Sequence, residues 1–330
     1  MISIWAASMM KAQKVSKRSK KVWGGNSMKR LGFTTSCCIL AFGFFASAQA
    51  ADDQMAAVAF SMAAIEPAAA ASRPFDFQRM NFDVYAGGIH AVQANMDLDY
   101  REKGRYAMKF SAQTRGILGS LAPWEGTFES KGWALSNGRR VPQLHESIAM
   151  WRDEKEVKSY NYTKNGGFKD IVTLYTHKKP KTKVPDKALT KGTTDALSAT
   201  ILVMEQVSDG GKCEGERDVF DGKRRYTLIF KHSRFVMLEK TRYNAYSGLA
   251  VECTVEVKPV AGAWHKKPRG WLSIQEQGRK RGMMPTVWLA QVTENAVAVP
   301  VRVRVKTAYG TLFMHMTRYE SGDTILTTKD

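Results

Sequence analysis

The chain has 330 residues, enough to bury a substantial core in one large domain or two smaller ones. Its apolar and charged fractions, 44% and 25%, are ordinary for a globular protein and exclude the compositional extremes. Lysine and arginine outnumber aspartate and glutamate by 50 to 31, which indicates a polyanionic partner such as nucleic acid, anionic lipid or lipopolysaccharide but says nothing about the fold.

The first 50 residues are predicted to be an export signal. A basic start at Met28 precedes an apolar stretch from Leu31 to Phe45 and an Ala-x-Ala site ending at Ala50, the pattern of a cleaved secretory signal peptide. We expect cleavage near Ala50 and a periplasmic location, and therefore no nucleic acid partner; residues 1–27 are an over-called start or an extended basic leader. Lipidation at the cysteines of this stretch is the lesser alternative. Removing these residues leaves 42 bases against 31 acids, a net charge of +11.

Three further segments are predicted from composition. Residues 51–74 are rich in alanine and interrupted by Glu66-Pro67, which favours a flexible linker. Residues 75–320 form a single β-rich periplasmic domain in this interpretation. Residues 321–330 are then a C-terminal tail.

Short β-branched and aromatic runs recur between Asn81 and Leu174, separated by turn sequences such as Gly87-Gly88 and Asn137-Gly138. This spacing predicts a mainly β fold, a curved antiparallel sheet or incomplete β-barrel packed on one or two helices. Residues 177–192, rich in lysine and containing two prolines, are predicted to be a basic loop that does not continue the sheet.

One helix is predicted after this loop. Thr194 or Asp195 can cap it, and an apolar stripe at helical spacing runs from Ala196 to Val207 before a Ser-Asp-Gly-Gly stop. We expect this stripe to pack against the sheet.

Strands are predicted to resume at Trp271–Glu276 and Thr286–Thr293. The clearest alternation in the chain follows. Valines at 299, 301, 303 and 305 face the core, and the intervening basic residues, Arg302, Arg304 and Lys306, form a solvated basic face.

Cys213 and Cys253 are the only cysteines outside the N-terminal segment. They bracket β-like runs broken by the turn sequences Asp221-Gly222 and Ser247-Gly248. In an exported protein such a pair usually oxidises, so we predict a structural disulfide, with a redox or metal-binding pair as the alternative.

The sequence resembles the exported bacterial proteins grouped as domain of unknown function 3108. The matching segments are Asp195-Ala196-Leu197-Ser198, Cys213, Asp218 to Tyr226, Cys253, Pro259 to Gly262, Val287-Trp288-Leu289 and Val299-Pro300-Val301. The likeness runs from about Phe82 to Thr317. The family carries no assigned activity. It is distantly similar to the periplasmic carriers and receptors of the lipoprotein-localisation pathway, which implies an incomplete barrel around helices with an apolar cavity for acyl chains, although fold does not fix function.

Several residue sets are candidate contacts, each with a plainer structural alternative. Basic clusters that could meet an anion or a membrane are Lys223, Arg224, Arg225, Arg279, Lys280, Arg281, Arg302, Arg304 and Lys306. Their plainer interpretation is a solvated turn or strand face. Tryptophans that could line a cavity, or simply fill the core, are Trp124, Trp133, Trp271 and Trp288.

Motifs of catalysis and of metal or cofactor binding are not found in the sequence, which has no nucleophile elbow, His-Glu-x-x-His, Walker loop or Cys-x-x-Cys. Met314-His315-Met316 could suggest copper, but on a strand the two methionines point away from the histidine. We therefore expect no cofactor, no metal and no catalytic residues.

The leading hypothesis is a periplasmic envelope-maintenance protein that holds a lipid or lipidated ligand in an apolar cavity, while basic loops meet the membrane surface. The alternative is a non-enzymatic interaction or scaffold protein, without a cavity, that contacts an envelope protein or a cell-wall polymer. An unrecognised hydrolase is a third hypothesis, which a cleft with converging polar groups around a histidine would favour.

Overall fold

The computed structural model describes residues 77–307 and 310–329. The predicted signal peptide (1–50) and the linker (51–74) lie outside the described residues. Fifteen strands are found in these ranges: β1 (Phe77–Ala86), β2 (Ile89–Asp99), β3 (Arg105–Thr114), β4 (Trp124–Ala134), β5 (Arg140–Trp151), β6 (Glu154–Tyr162), β7 (Phe168–Tyr175), β8 (Lys178–Lys183), β9 (Gly215–Phe220), β10 (Arg224–Leu238), β11 (Gly248–Gly262), β12 (Thr286–Ala290), β13 (Val299–Thr307), β14 (Gly310–Ser321) and β15 (Thr324–Thr327). Four helices accompany them: α1 (Gly116–Leu121), α2 (Lys187–Thr190), α3 (Ala196–Ser208) and α4 (Trp271–Lys280).

All the strands belong to one antiparallel sheet. Its order is β8-β7-β6-β5-β4-β3-β2-β1-β14-β13-β12-β11-β10-β9, with β15 added to β14. Two meanders, β1 to β8 and β9 to β14, are therefore joined where β1 pairs with β14. Since β8 and β9 do not pair with each other, the sheet is curved but not closed. This confirms the predicted incomplete barrel.

The curved sheet encloses a core because its strands alternate apolar and polar residues. In β1, for example, Met80, Phe82 and Val84 are buried, while the residues between them are more exposed. The facing strand supplies Met96 and Ala94 opposite Met80 and Phe82. A one-residue slip would expose this apolar set, so the pattern itself fixes the register.

Helix α3 lies inside the curve and contacts β3, β4, β5, β9, β10 and β12. Asp195 is its N-cap and accepts hydrogen bonds from the backbone N–H groups of Leu197 and Ser198, which confirms the predicted start. The helix is buried around most of its circumference, as expected for a helix surrounded by a sheet. The sheet and the helix therefore complete each other's core.

A disulfide joins Cys213, just before β9, to Cys253 in the middle of β11, and both cysteines are fully buried. Their Cα atoms lie 6.0 Å apart, an ordinary distance for a disulfide. The bond confirms the predicted pairing. It ties the exit from α3 to the second meander.

The seam between the two sheet edges is filled by side chains instead of backbone hydrogen bonds. Phe168 and Phe220 meet edge to face at 5.2 Å between ring centroids. Tyr160, Tyr162 and Ile171 complete this buried cluster. Backbone bonds from the segment before α3 partly cover the edge of β9.

Three expectations about secondary structure were wrong. Lys178–Lys183 is the edge strand β8, not a loop, because an edge strand tolerates Pro180 and exposed lysines. Trp271–Glu276 belongs to α4, where Trp271, Gln275 and Gly278 are buried at helical spacing. The C-terminal segment predicted as a tail contains β15.

Candidate functional site

A cleft of about 520 Å³ lies at the seam, between the β5–β7 side and the β9–β10 hairpin. This volume falls within the roughly 300–1,000 Å³ that is usual for small-molecule sites. Its apolar and aromatic lining comprises Trp124, Phe128, Ala149, Tyr160, Ile171, Tyr175, Val219, Phe220 and Tyr226. Its polar lining includes His145, Ser147, Glu156, Lys158, Lys183, Asp195, Lys223, Arg224 and His265.

Tyr160 on β6 joins the two sides of the cleft. Its hydroxyl donates to the backbone carbonyl of Asp221 at 3.2 Å, and its ring packs against that of His145 at 5.2 Å between centroids. Burial raises the pKa of Tyr160 well above its ordinary value, so the hydroxyl remains a donor. Gly222 permits this approach, because a Cβ there would lie 3.1 Å from the tyrosine hydroxyl and the backbone φ is +91°.

Polar groups converge at the inner end of the cleft, where three elements meet. Ser130 on β4 donates from its hydroxyl to Oδ1 of Asp195 at 2.6 Å. The same hydroxyl oxygen lies 2.7 Å from Nδ1 of His145 on β5. Since the serine proton is directed to the carboxylate, we assign the histidine Nδ1–H as donor to the serine oxygen. The chain of bonds leads from the helix cap to a cleft-lining imidazole.

This arrangement does not place Ser130 as a nucleophile. Its side chain is fully buried, and its proton is directed to the carboxylate of Asp195 rather than to the imidazole of His145. Burial lowers the pKa of His145, opposed by the charge of Asp195. The histidine is therefore a neutral group that is suited to hydrogen bonding with a ligand.

Two lysines leave positive charge at the mouth of the cleft. Lys183 and Lys223 are exposed, and neither forms an ion pair with a described residue. By contrast, Lys158 lies 2.5 Å from Glu156, and Arg224 lies 2.6 Å from Asp221. The unpaired charge at the mouth is thus positive.

A second, apolar void lies between α3 and strands β10 to β13. It measures about 30 Å³, the space that one water molecule occupies. This void is too small for an acyl chain.

Among the predicted cationic contacts, only Lys223 and Arg224 line the cleft. The other bases of the turn and of α4 are mostly neutralised: Arg225 lies 2.6 Å from Asp218, Arg279 lies 2.5 Å from Glu256, and Lys280 lies 3.2 Å from Glu276. Arg281 is exposed at the end of α4. The three bases of β13 lie on another face of the sheet.

Of the four tryptophans predicted to line a cavity, Trp124 lines the cleft. Trp133 is 41% exposed beneath Arg105. Trp271 is buried on α4, and Trp288 is buried under two arginines of β13. Residue type alone could not distinguish these environments.

Sequence reasoning missed Ser130 and His145, which lie 65 and 50 positions before Asp195. Asp195 was identified, but only as a helix cap.

In the described ranges no group of three or more His, Cys, Asp or Glu side chains is arranged to hold a metal ion. None of the helices there is long and apolar enough to span a membrane.

The sequence profile of the family described as "Protein of unknown function (DUF3108)" matches residues 81–317. The chain belongs to this family. A comparison with curated proteins finds no match. Among solved structures, this DUF3108 chain is similar to the crystal structure of a beta-barrel-like protein of domain of unknown function DUF1849 from Brucella abortus. The TM-score is 0.44, with 11% identity over 76% of this chain and 99% of that chain.

Proposed function

We propose that this DUF3108 protein is a non-enzymatic, exported envelope protein that binds an anionic amphiphile, a lipid or a lipidated molecule, in the seam cleft. The observation that carries the proposal is the pairing of an aromatic and aliphatic lining with unpaired lysines at the mouth. An apolar chain would lie along Trp124, Phe128 and Phe220. Its anionic end would meet Lys183 and Lys223.

The energetics favour a ligand with a long apolar part. Each buried methylene contributes about 0.8 kcal/mol, so a short segment of chain outweighs the desolvation of a few polar lining groups. The ligand would lie in the seam cleft and not beside α3, since the apolar void there measures about 30 Å³. Orientation would come from the lysines and from hydrogen bonding to His145.

Calorimetric titration with a single-chain phosphatidylglycerol, below its micelle concentration, tests the proposal. Ala149→Trp fills the cleft and should weaken binding by about tenfold or more, the equivalent of about 1.4 kcal/mol. Met150→Trp is the matched control, because Met150 is the next residue on β5, points to the other face and is 40% exposed. No saturable binding, or equal binding by both variants, would contradict the proposal.

The lysines have a separate test. Lys183→Gln combined with Lys223→Gln should weaken binding of the phosphatidylglycerol but leave the phosphatidylcholine analogue little changed, because only the first carries net negative charge. An equal loss of affinity for both lipids would contradict the role assigned to the lysines. It would not contradict binding of the apolar chain in the cleft.

A second candidate function is an interaction protein that contacts an envelope protein or a cell-wall polymer through its sheet. The small volume of the void beside α3, about 30 Å³, supports this candidate, since such a protein needs no cavity. Co-sedimentation with purified peptidoglycan, together with no amphiphile binding, would support this candidate over the first.

A further inference from the structure

Two arginines of β13 stack on the same tryptophan, on the face of the sheet opposite the core valines. The guanidinium carbon of Arg302 lies 5.1 Å from the ring centroid of Trp288, and that of Arg304 lies 5.3 Å from it. Arg302 also lies 5.2 Å from the ring of Phe313. The strands enforce this arrangement, because Arg302 pairs with Trp288 on β12 and Arg304 pairs with Phe313 on β14.

Neither arginine has a carboxylate partner among the described residues. Arg304 donates to the hydroxyl of Thr286 at 3.2 Å, and Nε of Arg302 is buried without a hydrogen-bond partner. Of the acids beside them on the sheet face, Glu252 pairs with Arg234 at 3.2 Å, and Asp83 lies 3.2 Å from Nε2 of His90 without a hydrogen bond to it. Two like charges thus share one aromatic surface: burial and the charge of Arg304 lower the pKa of Arg302, and the charge of Glu252 opposes this only in part.

His315 completes the cluster from β14. It pairs across the strands with Arg302 on one side and Asp83 on the other, and its Nδ1 is buried without a partner. Rings of Tyr85, Tyr243 and Phe313 surround it. Burial, together with the charge of Arg302, lowers the pKa of His315 to about 4.

We propose that Arg302, Arg304 and His315 form a binding site for a phosphate group on the outer face of β12 to β14. An unpaired guanidinium that is partly desolvated is costly, and a phosphate group between two of them offsets the desolvation cost and reduces the repulsion. The aromatic rings hold the guanidinium planes in place and exclude water. Lys306, two residues along β13, contributes further positive charge; its ammonium donates to the sulfur of Met283 at 3.8 Å.

The phosphate can be free or can belong to a phospholipid head group. This site is separate from the seam cleft, so the proposal does not depend on the function proposed above. Two guanidinium groups and a neighbouring ammonium match the dianion of free phosphate better than a monoanion, which a carboxylate and the phosphodiester of a head group both are.

Titration with inorganic phosphate in a zwitterionic buffer, followed by the NMR signals of the His315 ring, tests the site. Bound phosphate should raise the pKa of His315 by shielding it from Arg302. Arg302→Gln should weaken phosphate binding by about tenfold or more. Arg279→Gln, the same change at an exposed arginine paired with Glu256, should have no effect.

A parallel arm uses vesicles of phosphatidylglycerol and of phosphatidylcholine to distinguish the two sources of phosphate. Saturable binding of free phosphate that Arg302→Gln weakens supports a free-anion site. Binding only to phosphatidylglycerol vesicles, again weakened by Arg302→Gln, supports a head-group site. No response of the His315 signals in the unaltered protein to either form, or binding that Arg302→Gln leaves unchanged, overturns the proposal.

Discussion

At the scale of single residues, Asp195 connects the fold to the cleft. Its buried carboxylate caps α3 and accepts hydrogen bonds from two backbone N–H groups and from the hydroxyls of Ser130 and Ser198. Asp195→Ala should reduce the free energy of unfolding by about 2–4 kcal/mol, through the lost cap and the buried donors left unpaired. Urea denaturation followed by circular dichroism measures this.

The matched control is Asp186→Ala, which removes the exposed cap of the short helix α2. Its cost should stay near 1 kcal/mol or less, since water can replace the lost bond. Equal costs at the two positions would show that the cap, and not the buried network, accounts for the role of Asp195.

His315 should make stability depend on pH. Its pKa in the folded protein is about 4, lowered from 6.5 by burial and by Arg302. The unfolded chain therefore takes up the proton first as the pH falls, so this contribution to stability is complete above about pH 6.5 and is lost toward pH 4. Denaturation at several pH values should show a smaller decrease in His315→Asn than in the unaltered protein.

His177→Asn is the control for that series. His177 is exposed, and asparagine tolerates the backbone φ of +61° found there. An identical pH dependence in the unaltered protein and in His315→Asn would contradict the assignment of the proton uptake to His315.

At the scale of elements, the disulfide closes a loop of 40 residues that contains β9 and β10. Cys213→Ala combined with Cys253→Ala should lower the free energy of unfolding by about 4 kcal/mol in the chain-entropy model. Comparing its denaturation midpoint with that of the oxidised protein measures the change. Adding reductant should destabilise the unaltered protein but not the double variant; a double variant as stable as the oxidised protein would contradict the estimate.

Local patterns in the sequence predicted the β-rich class, the disulfide and helix α3, because alternation, cysteine pairing and capping are properties of short segments. These patterns gave the wrong secondary structure where the position of a segment in the folded protein determines its conformation. Lys178–Lys183 has poor strand composition and is a strand only because it occupies an edge. Trp271–Glu276 reads as a strand by residue type, yet Gln275 anchors it as a helix by bonding both backbone groups of Val257.

At the scale of the whole molecule, the cleft exists because the sheet curves without closing. His145, Asp195 and Phe220 lie on separate elements and line one cleft only after β9 has come round to face β6 and β7. No short-range pattern encodes that approach. The sequence therefore could not show which tryptophans reach the cleft, and of the four that were predicted to line a cavity, Trp124 does so. Likewise, four of the nine predicted basic contacts, Arg224, Arg225, Arg279 and Lys280, form ion pairs with cross-strand or neighbouring acids.

The central claim is that the seam cleft receives an apolar chain with an anionic head group. Photo-crosslinking with a single-chain phosphatidylglycerol that carries a diazirine on its acyl chain, followed by peptide mass spectrometry, tests it directly. The account predicts saturable labelling in the segments around Trp124, Ala149 and Phe220, abolished by Ala149→Trp. Labelling confined to other faces of the sheet, or unchanged in that variant, would contradict it.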